Sequence, residues 1–286
     1  MRSIRSFGDS ITAGYFLGNG APLPWNRQPP WWNPSLPPLP PDGNTYTPNT
    51  IGGGYRAFLA GNPGLRLVGN RTDNSAAWMW SGGQQGHDGF SGYKTTDLLH
   101  VVESLPSQFI QSDIILVHAG TNDILQNQTP TQTYENLKNL LGAILAKDAR
   151  TMVVVAQIIP IFNPADSRSN PKVQEFNNYI PQLAGQLSSS WNRVVRSVDM
   201  YQGMLYPDDY WYYPSYPGID GVHPGYLGYQ KMAAKWSAMI ESLPQLEPVS
   251  KPEFDPEYAA AAPTAEVDGE LQAASRLMLG LPIDGE

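Results

Sequence analysis

A serine follows the first apolar run of the sequence, in a turn where its hydroxyl could react. Ser10 comes directly after Phe7, Gly8 and Asp9, and glycine lets the backbone bend sharply at the end of a strand. A hydroxyl exposed at such a strand tip could act as a nucleophile. The same residues are also typical of ordinary turns and helix N-caps, so this motif alone leaves both interpretations open.

A second motif, near the other end of the chain, contains the residue types that would activate such a serine. Asp220 and His223 are three positions apart, a spacing at which a carboxylate on one turn reaches an imidazole ring. A serine needs a general base at neutral pH, and the base needs an acceptor that fixes its tautomer. The alternative is a helix-capping Asp220 with a surface His223, and the spacing leaves both open.

A third motif places an asparagine after another apolar run. Asn122 lies within Gly120–Asp123, directly after the run that ends at His118. Acyl transfer produces an oxyanion, and a side-chain amide is a suitable fixed donor for it. Three motifs of this kind favour acyl-transfer chemistry if the fold brings them together.

Short apolar runs alternate with amphipathic stretches, and this alternation predicts a parallel sheet covered by helices on both faces. The predicted strands are Ile4–Phe7, Leu65–Val68, Ile114–His118, Met152–Ile159 and Val194–Val198. The predicted helices are Thr95–Leu105, Thr131–Lys147, Pro171–Leu187 and Tyr226–Ser242. Because ligands bind beyond the carboxyl ends of such strands, we expect Ser10 and Asn122 at one rim.

Together these motifs resemble the SGNH (GDSL-like) hydrolase superfamily, whose conserved blocks supply a serine, a glycine, an asparagine and a histidine. The glycine block fits Gly92 best, with Gly89 as the rival assignment. Within this superfamily, the sequences of the motifs most resemble those of the carbohydrate esterases that include acetyl xylan esterases, and the resemblance runs from Ser3 to Leu243. The residues that match the blocks are Ser10, Gly92, Asn122, Asp220 and His223.

The resemblance implies a three-layer α/β/α fold of the flavodoxin-like type and a serine esterase that uses no metal and no other cofactor. Its triad would be Ser10, His223 and Asp220, with an acyl-enzyme on the serine. The oxyanion hole would consist of the backbone N–H groups of Ser10 and Gly92 and the side-chain amide of Asn122. The implied substrate is a carboxylic ester, in particular an acetyl ester on a carbohydrate such as acetylated xylan.

Composition limits the classes of partner. The chain of 286 residues has a formal charge of −8, which disfavours nucleic acid. No apolar run reaches the roughly 20 residues that a membrane-spanning helix needs. We expect one hydrolase domain over residues 1–244 and a tail rich in Pro, Ala and Glu over 245–286, with a short helix near Glu266–Leu279. A monomeric, secreted protein is expected, although the chain begins without a signal peptide.

Two aromatic segments interrupt the alternation and bear on the substrate. Pro22–Pro48 carries Trp31 and Trp32, and Tyr201–Pro217 carries Trp211. These tryptophans and His118 are candidates for substrate binding, since aromatic rings could stack on sugars. The alternative is that the tryptophans only pack the inserts onto the domain. Two other functions stay open: a general short-chain esterase or lysophospholipase with the same triad, and a carbohydrate-binding module without catalysis.

Overall fold

The computed structural model describes residues 1–14, 53–72, 74–75, 79–80, 82–107, 110–162, 169–205, 208–213 and 218–245. The insert with Trp31 and Trp32 and the tail beyond residue 245 lie outside the described residues. The strands are β1 (Arg2–Gly8), β2 (Leu65–Val68), β3 (Asp88–Gly89), β4 (Ile114–His118), β5 (Met152–Gln157), β6 (Val195–Asp199), β7 (Tyr210–Tyr213) and β8 (Gly218–Pro224). The helices are α1 (Ser10–Ala13), α2 (Tyr55–Ala60), α3 (Thr95–Ser104), α4 (Thr121–Leu125), α5 (Pro130–Lys147), α6 (Ser169–Trp191) and α7 (Tyr226–Ser242).

Five strands form the parallel sheet that the alternation predicts, in the order β2-β1-β4-β5-β6. The short strand β3 pairs with the end of β1, and β7 and β8 form a separate antiparallel hairpin. The chain leaves β1 toward β2 and later returns to β4 on the other side of β1, so the sheet reverses its winding between β1 and β4. Ligand sites of such sheets lie at this reversal. Gly8 and His118 are paired there, and Ser10 and Asn122 follow them.

Alternate side chains of the central strands enter two separate apolar cores. On one face, Ile115, Val117, Val153 and Val155 pack with buried side chains of α3, α5 and α6. On the other face, Ile114, Leu116, Met152 and Val154 pack with those of α2 and α7. A strand exposes successive side chains to opposite faces, and both sets here are apolar because helices cover both sides. The predicted three-layer α/β/α fold is therefore confirmed. No helix within the described ranges combines the length and apolarity that crossing a membrane requires.

Strand β5 ends at Gln157, two residues before the predicted end. The side chain of Asn177 accepts from the backbone N–H of Ile158 and donates to its carbonyl, both at 2.8 Å. A residue whose two backbone groups are both bound by a side chain cannot pair with a neighbouring strand. The apolar run that continues to Ile159 is therefore core, but not strand.

Helix α6 is longer than the predicted Pro171–Leu187 at both ends, and it continues through Pro181. Proline has no N–H, so the carbonyl four residues earlier, at Asn177, loses its helical donor. The side-chain amide of Gln157 donates to that carbonyl at 2.9 Å. This tertiary contact, which sequence periodicity does not reveal, helps the helix to accommodate an internal proline.

The segment that contains Asp220 and His223 is a strand, whereas the sequence predicts a turn that follows an irregular insert. Tyr210–Tyr213 pairs with Gly218–Pro224, so Asp220 and His223 lie on one strand. The strand bends at Gly221, whose φ is +69°. The backbone N–H of Phe162 donates to the Gly221 carbonyl at 2.7 Å, and a Cβ at Gly221 would lie 1.7 Å from the Phe162 oxygen. Only glycine fits this bend.

Candidate active site

The structure brings the serine of the first motif and the histidine of the last into direct contact. Ser10 Oγ lies 2.8 Å from His223 Nε2, although 213 residues separate them. Both side chains are buried, with 7% of Ser10 and 9% of His223 exposed. When Nε2 accepts the hydroxyl proton of Ser10, the proton of the neutral imidazole is on Nδ1. This is the arrangement of a nucleophile with its general base.

Side chains at both ends of the short helix α1 hold Ser10 in place. At the start, Asp9 Oδ1 accepts from the backbone N–H of Ile11 at 2.9 Å, which caps the helix. At the end, the fully buried Arg56 donates from Nε to the Thr12 carbonyl at 3.0 Å and from Nη2 to the Ala13 carbonyl at 2.9 Å. These are carbonyls that a helix end leaves unsatisfied. Sequence analysis missed this role of Arg56, because no local pattern links it to α1.

The histidine is positioned by the hairpin and by the base of α7. The backbone N–H of Gly225 donates to the Asp209 carbonyl at 2.8 Å. The buried carboxylate of Asp209 accepts from Lys231 Nζ at 2.6 Å, which ties the hairpin to α7. Asp220 lies on the same strand as His223, three residues earlier. Its role as the third member of the triad stays a prediction.

The proposed oxyanion donors lie on two segments beyond β3 and β4. Gly92 has a φ of +78°, a conformation that favours glycine. Asn122, on α4, donates from Nδ2 to the Tyr93 carbonyl at 2.9 Å, which leaves the second amide hydrogen for another acceptor. The rival Gly89 donates its N–H to His87 Nδ1 at 3.0 Å, so that hydrogen is already used. This difference favours Gly92 as the donor.

The candidate substrate-binding residues are only partly described. His118 is fully buried, and burial lowers the pKa of its imidazole to about 4; in this conformation the neutral ring has no surface to offer a substrate. Trp211 lies on β7, while Trp31 and Trp32 lie outside the described residues. Across the described ranges, His, Asp and Glu side chains form no group of three that could hold a metal ion.

A buried carboxylate, that of Asp9, adjoins Ser10. Burial raises the pKa of Asp9 from 3.8 to about 6. The N–H of Ile11, the charge of His223 and the hydroxyl of Thr121 each lower this pKa in part, whereas the nearby Asp123 raises it. The desolvation of the charged form therefore outweighs its favourable contacts. At neutral pH this carboxylate is ionised, and its charge would stabilise a protonated His223 ring.

We expect Asp9→Asn to increase stability at pH 7 and to reduce activity. Asparagine is as good an N-cap as aspartate, but it carries no charge to desolvate. Because the folded pKa of about 6 exceeds the ordinary 3.8, wild-type stability falls relative to the variant as pH rises from 3.8 through 6. This difference between the folded and the unfolded pKa corresponds to about 3 kcal/mol in the free energy of unfolding. Loss of the charge beside the imidazolium should lower kcat about tenfold.

Urea unfolding at pH 4 and pH 7 tests the prediction for Asp9. The two proteins should have nearly equal free energies of unfolding at pH 4, where the wild-type carboxyl is protonated, and the variant should be more stable at pH 7. Asp9→Ala separates the cap from the charge, since it should be about 1 kcal/mol less stable than the asparagine variant. An equal gain at both pH values would show that the charge of Asp9 is not responsible.

Comparison with known proteins identifies relatives of the chain. A family model described as "GDSL-like Lipase/Acylhydrolase family" matches residues 6–231. A multidomain esterase from Ruminococcus flavefaciens is 28% identical over 213 residues, which are 66% of this chain but only 26% of that relative. Two solved structures share the fold at 20% identity over 84% of this chain. The carbohydrate esterase family 3 protein of Talaromyces cellulolyticus is covered to 97% with a TM-score of 0.55, and the family 3 carbohydrate esterase of Clostridium thermocellum to 96% with a TM-score of 0.57.

Proposed function

The chain belongs to the GDSL-like lipase/acylhydrolase family, and we propose that it is a serine esterase that removes acetyl groups from a carbohydrate such as acetylated xylan. The observation that carries the proposal is the buried contact of 2.8 Å between Ser10 Oγ and His223 Nε2. A packing role alone does not require a hydroxyl and an imidazole at this reversal of the sheet. A serine that acts as the nucleophile of acyl transfer needs such a base beside it.

In the first half of the proposed reaction, Ser10 Oγ attacks the ester carbonyl carbon while His223 Nε2 takes the hydroxyl proton. Asp220 accepts from Nδ1–H and stabilises the imidazolium. The carbonyl oxygen becomes an oxyanion and is held by the N–H groups of Ser10 and Gly92 and by the Asn122 amide. As the intermediate collapses, the sugar oxygen leaves with the proton from Nε2, and an acetyl group remains on the serine.

In the second half, water replaces the sugar. His223 Nε2 removes a proton from the water, whose oxygen attacks the acetyl carbonyl. The same donors hold the second oxyanion, and its collapse returns the proton to Ser10 Oγ and releases acetate. The balance requires one water for each ester bond and no other co-reactant.

Several observations support a carbohydrate as the alcohol. The sequences around Gly92 and Asn122 resemble those of carbohydrate esterases, and the two proteins of Talaromyces cellulolyticus and Clostridium thermocellum that share the fold are carbohydrate esterases. In the sequence, Trp31, Trp32 and Trp211 are candidates for sugar binding, because aromatic rings stack on sugars. A polysaccharide is encountered outside the cell, so secretion is part of the proposal, as is action as a monomer.

Acetate release tests the proposed substrate. We expect the protein to release acetate from acetylated xylan. It should also hydrolyse the acetyl ester of nitrophenol at least about tenfold faster than the octanoyl ester, because a site that fits an acetyl group would exclude longer chains. Ser10→Ala, assayed in parallel, measures the background. A preference for the octanoyl ester, with no acetate from the polysaccharide, would favour the general esterase or lysophospholipase instead.

A further inference from the structure

Three side chains from α4 and the residue after it bind one facing segment, residues 92–95. Asn122 Nδ2 donates to the Tyr93 carbonyl at 2.9 Å, and Gln126 Nε2 donates to the Gly92 carbonyl at 3.3 Å. The carboxylate of Asp123 accepts from the backbone N–H of Thr95 at 2.9 Å and from its hydroxyl at 2.6 Å. Each contact spans at least 28 residues of sequence. The segment is therefore held at three of its four residues, Gly92, Tyr93 and Thr95, from the side of α4.

The segment needs such support because its key residue is a glycine. Without a Cβ, a glycine visits positive and negative φ almost equally, and the direction of the Gly92 N–H depends on that choice. The Gln126 contact fixes the carbonyl on the other side of the same Cα. The Asp123 contacts fix the start of α3, three residues further on. Between these two anchors, Gly92 has little freedom to turn its N–H away.

The buried Asp123 carboxylate is paired inside this group of contacts. Burial raises the pKa of Asp123, while the hydroxyl and the N–H of Thr95 lower it. Hydrogen bonds to the charged form offset part of the cost of burying a carboxylate. Both of its oxygens accept from Thr95. Its hydrogen bonds are thus directed at the segment and away from open solvent.

We infer that Gln126 and Asp123 are positioning residues for the oxyanion hole, which they act on by holding residues 92–95 against α4. This inference rests on the proposed function, because it concerns the donors that the proposed reaction uses. Neither residue touches the substrate. Their effect is preorganisation: the Gly92 N–H and the Asn122 amide point at one place before charge develops there.

Gln126 offers the cleaner test because it is half-buried and carries no charge. Gln126→Leu keeps the approximate size but cannot donate, so we expect kcat to fall about tenfold with KM within about twofold, since only the transition state carries the charge. Inactivation by diethyl nitrophenyl phosphate, which also develops charge on an oxygen, should slow by a similar factor. Gln126→Lys supplies a donor that can reach the Gly92 carbonyl and should restore most of kcat.

The control is Gln132→Leu, which removes the side-chain amide of an exposed residue on α5. That amide donates to Asn136 Oδ1 at 3.0 Å, outside the candidate site, so kcat and KM should stay at wild-type values. Thermal unfolding of all three variants separates positioning from stability. If Gln126 had only a structural role, its replacement would lower the midpoint of unfolding and would not reduce kcat selectively over KM. For positioning, the midpoint should stay within a few degrees of wild type.

Two kinds of failure are distinguishable. If the wild-type protein hydrolyses esters but Gln126→Leu matches its kcat, or raises KM alone, the positioning role is wrong and the proposed function stands. The same conclusion follows if Gln126→Lys stays as slow as the leucine variant. If the wild-type protein hydrolyses no ester, the proposed function fails and the inference fails with it.

Discussion

Ser10→Ala and His223→Ala should each reduce kcat for a nitrophenyl acetate by on the order of 10⁴-fold or more. The first variant removes the atom that becomes acylated, and the second removes the base that takes its proton. Ser10 Oγ and His223 Nε2 lie 2.8 Å apart, within reach of direct proton transfer. Steady-state rates, with a burst assay for the acetyl-enzyme, measure the effect.

The double variant gives a sharper expectation than either single one. Because the two groups act as a unit, Ser10→Ala combined with His223→Ala should be hardly slower than Ser10→Ala alone. Ser104→Ala, which removes the hydroxyl of an exposed residue at the end of α3, is the matched control and should keep full activity. Wild-type rates in Ser10→Ala would reject the mechanism, as would multiplicative losses in the double variant.

The meeting of the motifs at one rim could be predicted because two simple regularities determine it. Parallel strands present their carboxyl ends on the same edge, and the apolar runs that end at Phe7 and His118 have the length of strands. The observed pairing of Gly8 with His118 follows directly. Ser10 comes two residues after the end of β1 and Asn122 four after the end of β4, so placing both at this edge of the sheet needs no knowledge of side-chain packing.

The features that sequence reasoning missed depend on single tertiary contacts. Arg56 reaches the end of α1 across 43 residues, and Gln157 binds the carbonyl that Pro181 frees in α6. Neither contact can be predicted from hydrophobic periodicity, because a single polar side chain does not change the period of the apolar residues around it. The strand that carries His223 was missed for a related reason: its bend at Gly221 depends on the backbone of Phe162.

The same distinction applies to electrostatics. The pattern identifies Asp9 as a turn residue, but only the packed structure reveals that burial raises the pKa of its carboxyl to about 6. Likewise, His118 lies at the predicted strand end, yet its complete burial follows from the elements packed around it. Residue type and order predict which groups are present at a site; their protonation depends on how much water the fold removes.

Asn122→Ala should lower kcat by about 10² to 10³-fold and change KM by no more than a few-fold, the size of loss expected for one oxyanion donor. The variant also breaks the 2.9 Å hydrogen bond to the Tyr93 carbonyl, so part of the loss would come from the looser segment 92–95. Gln126→Leu estimates that part, because it loosens the segment and keeps the amide of Asn122. The factor by which the loss of kcat in Asn122→Ala exceeds the loss in Gln126→Leu then measures direct donation to the oxyanion.

Asn122→Asp distinguishes donation from shape. Aspartate has nearly the same volume, but an ionised carboxylate donates no hydrogen bond and repels a developing oxyanion, so its kcat should fall below that of the alanine variant. Asn178→Ala, at an exposed position on α6, should behave as wild type. If Asn122→Ala instead raised KM and left kcat unchanged, the amide would act on the bound ester and not on the transition state. The oxyanion hole would then have to be built from backbone N–H groups alone.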